Sequence, residues 1–128
     1  MKKEIQIQVR YHECDPMGVV HHATYPVWFE MGRTELLRDN GDCYRQLEES
    51  GLFLVVSELQ IRYKASARYD DVLLLKTTLE EVTRVRVTHS YALLRGKQLI
   101  ASATTVLACV DGKGNVQPIP EHVAKIKV

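Results

Sequence analysis

The sequence predicts an α+β fold in a single domain spanning residues 1–128: one long central helix wrapped by a curved antiparallel sheet of about five strands. Three observations carry this. Only one long segment, Tyr25 to Asp39, has apolar residues at helical spacing. Several long runs alternate with period two and are joined by short polar turns. Strand and helix do not recur in alternation, which sets the chain apart from a parallel α/β fold. At 128 residues, 45% of them hydrophobic, the chain fits one globular domain with a sizeable core.

The elements follow in order. From Glu4 to Tyr11, Ile5, Ile7, Val9 and Tyr11 alternate with Gln6, Gln8 and Arg10, the pattern of a half-buried strand. Thr24 suits a helix N-cap and Pro26 a first helical turn. Tyr25, Phe29, Gly32 and Leu36 then form one stripe, with Trp28 beside it, while Glu30, Arg33, Glu35, Arg38 and Asp39 fall mostly off it. Asn40-Gly41 stops the helix after about four turns of 3.6 residues. A short connector compatible with a helix (Asp42 to Ser50) leads to strands over Leu52–Tyr63, Val72–Val82, Val85–Leu94 and Leu99–Val110. Arg95-Gly96-Lys97-Gln98 and Asp111-Gly112-Lys113-Gly114-Asn115 are turns. Strands this long exceed the usual ~5–6 residues and imply a sheet that curls around the helix.

Composition excludes several functions. A formal net charge of +1 argues against nucleic-acid binding. The apolar-rich run Gln98–Val110 is too short and too rich in threonine for a membrane span. Met1-Lys2-Lys3-Glu4-Ile5-Gln6 begins no apolar signal segment. Three cysteines, Cys14, Cys43 and Cys109, form no disulfide framework. Together these give the expectation of a cytoplasmic protein.

The chemistry concentrates in Tyr11-His12-Glu13-Cys14-Asp15-Pro16-Met17-Gly18-Val19-Val20-His21-His22-Ala23-Thr24-Tyr25. A carboxylate, a Pro/Gly turn and two histidines stand directly before the helix. A helix N-terminus offers unpaired N–H groups and partial positive charge, so it suits an anion or a developing oxyanion. A carboxylate one short loop away can act on what binds there as base or nucleophile. The arrangement suits cleavage of an activated carbonyl. A zinc cluster is disfavoured because no C-x-x-C or H-E-x-x-H spacing is present. Cys14 reads as a packing residue, because the neighbouring Asp15 charge opposes thiolate formation.

The segment resembles the hotdog-fold acyl-CoA thioesterases of the 4-hydroxybenzoyl-CoA thioesterase / YbgC-like family. Tyr11, Glu13, Asp15, Gly18, Val19, Val20, His21, His22, Tyr25, Trp28, Phe29, Glu30 and Arg33 fall on that family's leading motif. Tyr63-Lys64-Ala65-Ser66-Ala67-Arg68-Tyr69-Asp70-Asp71 is similar to a second, and Thr104–Asp111 followed by Ile119-Pro120 to a third. Glu13 stands for the family's usual first aspartate and His21 for its usual aromatic. The resemblance implies catalysis by Asp15, with the carbonyl polarised by a backbone N–H near His22 and the His22 side chain orienting the thioester. Tyr11, Tyr25 and Trp28 would contact substrate, Tyr25 and Trp28 as walls of the acyl pocket. No metal or cofactor is needed beyond the coenzyme A of the substrate. It also implies a homodimer or homotetramer.

Other readings bear on the same residues. His21 and His22 would point to opposite sides of an extended segment, and His22 is preferred in the site, with His21 a surface or packing residue. Glu30 is a second candidate carboxylate, with an i, i+3 ion pair to Arg33 as its plainer role. His89 reads as a sheet histidine. Arg68, Arg84 and Arg86 are candidates for the coenzyme A phosphates, Arg84 and Arg86 sharing a strand face. An acyl-carrier-protein thioesterase and a non-catalytic acyl-CoA-binding protein are the alternatives.

Overall fold

The computed structural model describes residues 1–41 and 44–124. Asp42, at the start of the predicted connector, and Cys43 lie outside the described residues. Strands β1 (Lys2–Gln8), β2 (Leu52–Tyr63), β3 (Val72–Val82), β4 (Arg86–Arg95) and β5 (Gln98–Asp111) form one sheet in the order β1-β3-β4-β5-β2. Every neighbouring pair is antiparallel. Helix α1 (Tyr25–Asp39) packs on one face, and two short helices, α2 (Tyr44–Glu49) and α3 (Glu121–Ala124), close its far end. This is the expected α+β architecture.

Period two decides which face is buried. Leu73, Leu75, Thr77 and Leu79 of β3, Val87, His89, Tyr91 and Leu93 of β4, and Ala101, Ala103, Thr105, Leu107 and Cys109 of β5 all face inward. Register slips at Val56/Glu58 and Leu79/Glu81 interrupt the ladders. Such bulges add local twist, which helps bend long strands around a helix. The helix presents Tyr25, Trp28, Phe29, Gly32, Arg33, Leu36 and Leu37 to the sheet. Phe29 is fully buried and stacks on Tyr91 with ring centroids 4.7 Å apart. Burying one such ring contributes about 2–3 kcal/mol. Gly32 permits close approach, since a Cβ there would stand 2.8 Å from Leu75 Cδ2 and against Thr77 Oγ1.

The core divides along the helix. Its first half covers Ile7, Val9, Leu73, Leu75, Leu93 and Ile100. Its second half, around Leu36, covers Leu79, Val87 and Leu107, with Leu47 of α2 and Val123 of α3 packed in. Two boundaries differ from the sequence reading. β1 ends at Gln8, because Glu13 N–H bonds back to the Arg10 carbonyl and Cys14 N–H to the Tyr11 carbonyl, curling Tyr11–Glu13 into a 3-10 turn. Arg84 is not on a strand. It lies in the β3–β4 turn, where Thr83 Oγ1 accepts the Arg86 N–H at 3.1 Å.

Candidate active site

The loop before α1 is built by one tight turn. Asp15-Pro16-Met17-Gly18 closes with Gly18 N–H donating to the Asp15 carbonyl at 2.9 Å. Aspartate at the first position, proline at the second and glycine at the fourth suit a type I turn. Gly18 has φ of 78°, which a side chain rarely tolerates. The chain then returns antiparallel: Asp15 N–H bonds the Val19 carbonyl at 2.8 Å, and Cys14 bridges to Val20. Val19 in turn bridges to Arg68, and Val20 N–H bonds the Ala67 carbonyl. A small third ladder thus fixes the loop to the chain between β2 and β3.

This anchoring sets Asp15. Its Oδ1 accepts the Met17 N–H at 2.8 Å and the Val19 N–H at 3.4 Å. Among the described residues nothing donates to Oδ2, so one oxygen holds the turn and the other carries no hydrogen bond. Asp15 is half-buried, and Cys14 beside it packs against the first core cluster.

Glu13 ties the loop to the helix. Its side chain is buried; Oε1 accepts the Arg10 N–H at 2.7 Å and Oε2 the Trp28 Nε1–H at 2.9 Å. Burial pushes this carboxyl up, but the bonds from Arg10 and Trp28 and the Arg10 guanidinium outweigh it and hold the group below its ordinary range. The Glu13 carbonyl accepts the His21 N–H at 2.9 Å and the Thr24 hydroxyl at 3.4 Å. Thr24 therefore does not cap α1 with its side chain, because its hydroxyl is spent on Glu13 and its own backbone is already helical.

His21 and His22 are both exposed and stack on each other at 4.2 Å rather than pointing apart. The segment is a turn, not an extended strand: Thr24 N–H bonds the His21 carbonyl, and Ala23 N–H bonds His21 Nδ1. The His22 carbonyl accepts the Tyr63 hydroxyl at 2.9 Å. The amides of His22 and Tyr25 donate to no carbonyl among the described residues, and Pro26 has no N–H to give. Two N–H donors thus stand open at the start of the helix.

The remaining residues divide into two places. Tyr25 and Trp28 are buried behind the loop, edge to face at 5.3 Å, with Tyr63 on the other edge of Tyr25. Tyr11 is exposed and meets Tyr69 edge to face at 5.6 Å. Arg68 is exposed, with its guanidinium packed over Gly18. Tyr11, Asp15, His22, Tyr25, Trp28 and Arg68 therefore share one neighbourhood. Arg84 and Arg86 do not join it. They sit beyond the opposite end of β3, roughly 30 Å away at 3.3 Å per strand residue. The sequence reading missed Glu13 as an anchor and Arg33 as a buried residue; an acid three positions after Arg10 was the local signal for the first.

A curved antiparallel sheet around one helix, with a carboxylate on a tight turn before the helix, defines a hotdog thioesterase-like protein. Residues 9–126 match the model of the thioesterase-like superfamily, and the chain belongs to that superfamily. It is 38% identical over 114 residues to the acyl-CoA thioesterase YbgC of Haemophilus influenzae, covering 88% of this chain and 83% of that one. It superimposes on hypothetical protein TT1821 of Thermus thermophilus with a TM-score of 0.91 at 34% identity, over 98% and 94% of the two chains. The DHNA-CoA thioesterase of Staphylococcus aureus gives 0.85 at 30% identity, over 92% and 79%.

Proposed function

We propose that this protein is an acyl-CoA thioesterase that hydrolyses a small or medium acyl-CoA to the free acid and coenzyme A. The observation that carries this is Asp15: one carboxylate oxygen accepts the Met17 N–H, no described group donates to the other, and the loop that bears it is bonded to the approach of α1 through Glu13 and His21. The thioester oxygen would accept the free amides of His22 or Tyr25, where helix polarity favours developing negative charge. Asp15 would then take a proton from the water that attacks the carbonyl carbon, or attack it directly to form an anhydride that water afterwards cleaves to the free acid, and in either case the carbon–sulfur bond would break to release the thiolate. The His22 side chain would orient the thioester. Coenzyme A leaves as a good leaving group, so the chemistry asks for no metal or cofactor.

Arg68, whose guanidinium lies over Gly18, would meet a phosphate near the loop, and Tyr11, against Tyr69, would contact substrate. Arg84 and Arg86 would serve a site only across an interface between two copies. Edge strand β2 supports such an interface, because Val55, Val56, Leu59 and Tyr63 are 44–50% exposed along it. An open edge of this length tends to pair, in keeping with a homodimer or a dimer of dimers. The free thiols Cys14 and Cys109 are in keeping with a reducing, cytoplasmic setting. Among the described residues no helix is long and apolar enough to cross a membrane.

The test is thiol release from short, medium, long and benzoyl CoA esters, with Asp15→Ala as control. Turnover abolished in a folded Asp15→Ala protein supports the assignment. Retained turnover would sink it. No turnover by the folded wild type on any CoA ester would move the substrate to an acyl carrier protein or the role to binding.

A further inference from the structure

Arg33 places a charged group inside the core. Its side chain is only 8% exposed, and its charge partner among the described residues is Glu30 at 3.6 Å, a carboxylate 70% exposed. A buried cation is normally matched by close, desolvated partners, whereas a pair with a solvated carboxylate contributes little. Tyr44 and Tyr91 lie near enough to feel the guanidinium charge, but they bring no charge of their own. Next to it, His89 is 5% exposed and its Nδ1 has no hydrogen-bond partner. Buried polar atoms are seldom left so.

Arg33 lines several hollows, one of which begins beside the first turn of α1. One groove runs between α1 and β2 from Pro26 past Val27 and Leu59 to Arg33, with Thr105 on its wall. Thr105 pairs directly with His89 across β4 and β5. A second hollow, with Tyr44 and Glu48, and a third, mostly apolar and walled by His89, Tyr44 and Asn40, also open onto Arg33. Arg33 lies eight residues after Tyr25, about 12 Å along the helix at 1.5 Å per residue. Helix side chains lean toward the N-terminus, so its guanidinium comes within reach of an acyl chain whose carbonyl sits at the first turn.

We propose that Arg33 and His89 form a carboxylate-accepting subsite at the end of the acyl groove, so that the preferred substrates are thioesters of dicarboxylic acids. This rests on the thioesterase reading above. The distal carboxylate would replace Glu30 as the partner of Arg33 and give the guanidinium the two-pronged acceptor its fixed fork matches. His89 Nδ1–H, in the tautomer or protonation state the ligand favours, would donate to the same group. Glu30 and Glu48 are the acids that face this region, and both stay on its solvent side.

The discriminating experiment compares adipyl-CoA with hexanoyl-CoA, equal in chain length and different only at the far end. For the wild type, kcat/KM is expected to be at least tenfold higher for adipyl-CoA, and in Arg33→Gln that ratio is expected to fall at least tenfold. Equal rates, or preference for hexanoyl-CoA, would overturn the proposal without touching the thioesterase reading. Calorimetric binding of both esters to Asp15→Asn separates recognition from turnover. Tighter binding of adipyl-CoA supports the subsite even if neither ester is hydrolysed, and equal binding refutes it. The wild-type comparison stands whether or not the Arg33 variant folds.

Discussion

The Trp28 indole donates its Nε1–H to Glu13 Oε2 at 2.9 Å. This buried bond joins the loop that carries Asp15 to the first turns of α1, whose amides face the same space. Glu13→Ala would leave the Trp28 Nε1–H and the Arg10 N–H without acceptors. The expected cost is on the order of 3 kcal/mol, read as a lower urea midpoint. Glu13→Gln keeps one acceptor oxygen and should lose less. Both variants should lower kcat/KM, by tenfold or more for Ala, because Asp15 is intact but no longer held against the helix. A Glu13→Ala enzyme of wild-type activity would show that the loop holds its position without this anchor.

Asp15 holds the turn with one oxygen and, in the proposed reaction, would act with the other, so two substitutions can separate the roles. Asparagine retains an oxygen for the Met17 N–H, and its stability should stay within about 1 kcal/mol of wild type. Alanine loses that acceptor and should cost about 1 kcal/mol more. Both should lose at least a thousandfold in kcat. Thermal melts beside steady-state rates check the division, and appreciable turnover by Asp15→Asn would assign the reaction to another group.

Most of the fold is legible in the sequence because period two and period 3.6 report burial directly. The inward residues of β3, β4 and β5 and the stripe Tyr25–Phe29–Gly32–Leu36 are found as their spacing predicts. The Asp15 turn is equally legible, since Pro16 and Gly18 dictate it locally. What escaped the pattern depends on tertiary partners. Arg33 falls off the apolar stripe of the helix and Glu13 stands in a polar run, yet both are buried, Glu13 through the bond that it accepts from Trp28. Tyr11 continues an alternation that the Arg10–Glu13 turn breaks, and the His21–His22 stack depends on a turn that two adjacent histidines do not announce.

Gly32 is a point of close approach between helix and sheet. A methyl group there would press on Thr77 Oγ1 and on Leu75 Cδ2, the latter at 2.8 Å. Alanine is the better helix former by about 1 kcal/mol, but overpacking a filled core costs about 1–3 kcal/mol. Gly32→Ala should therefore be destabilising overall, with a lower melting temperature. Adding Thr77→Ala removes one of the two clashing side chains. The double variant should be more stable than Gly32→Ala alone, and a double-mutant cycle measures the coupling.

His89 should make stability depend on pH in a window that carboxylates do not share. Burial, and secondarily the nearby Arg33 charge, lower its pKa from 6.5 to about 4. Between those values the unfolded chain binds a proton at this position and the folded chain does not. Stability must then fall as pH drops from 6.5 toward 4, and level off for this group below that. The gap corresponds to roughly 3 kcal/mol at 1.36 kcal/mol per pH unit. Glu13 acts elsewhere: its depressed pKa gives stability that is complete above 4.5 and is lost only as pH falls below it. Urea titrations at pH 7, 6, 5 and 4.5 isolate the histidine, and His89→Phe, similar in shape and unable to titrate, should flatten the profile over that range. A wild-type profile that is already flat from pH 7 to 4.5 would mean that His89 takes up its proton inside the fold, and the buried pocket would then hold two positive charges in place of one.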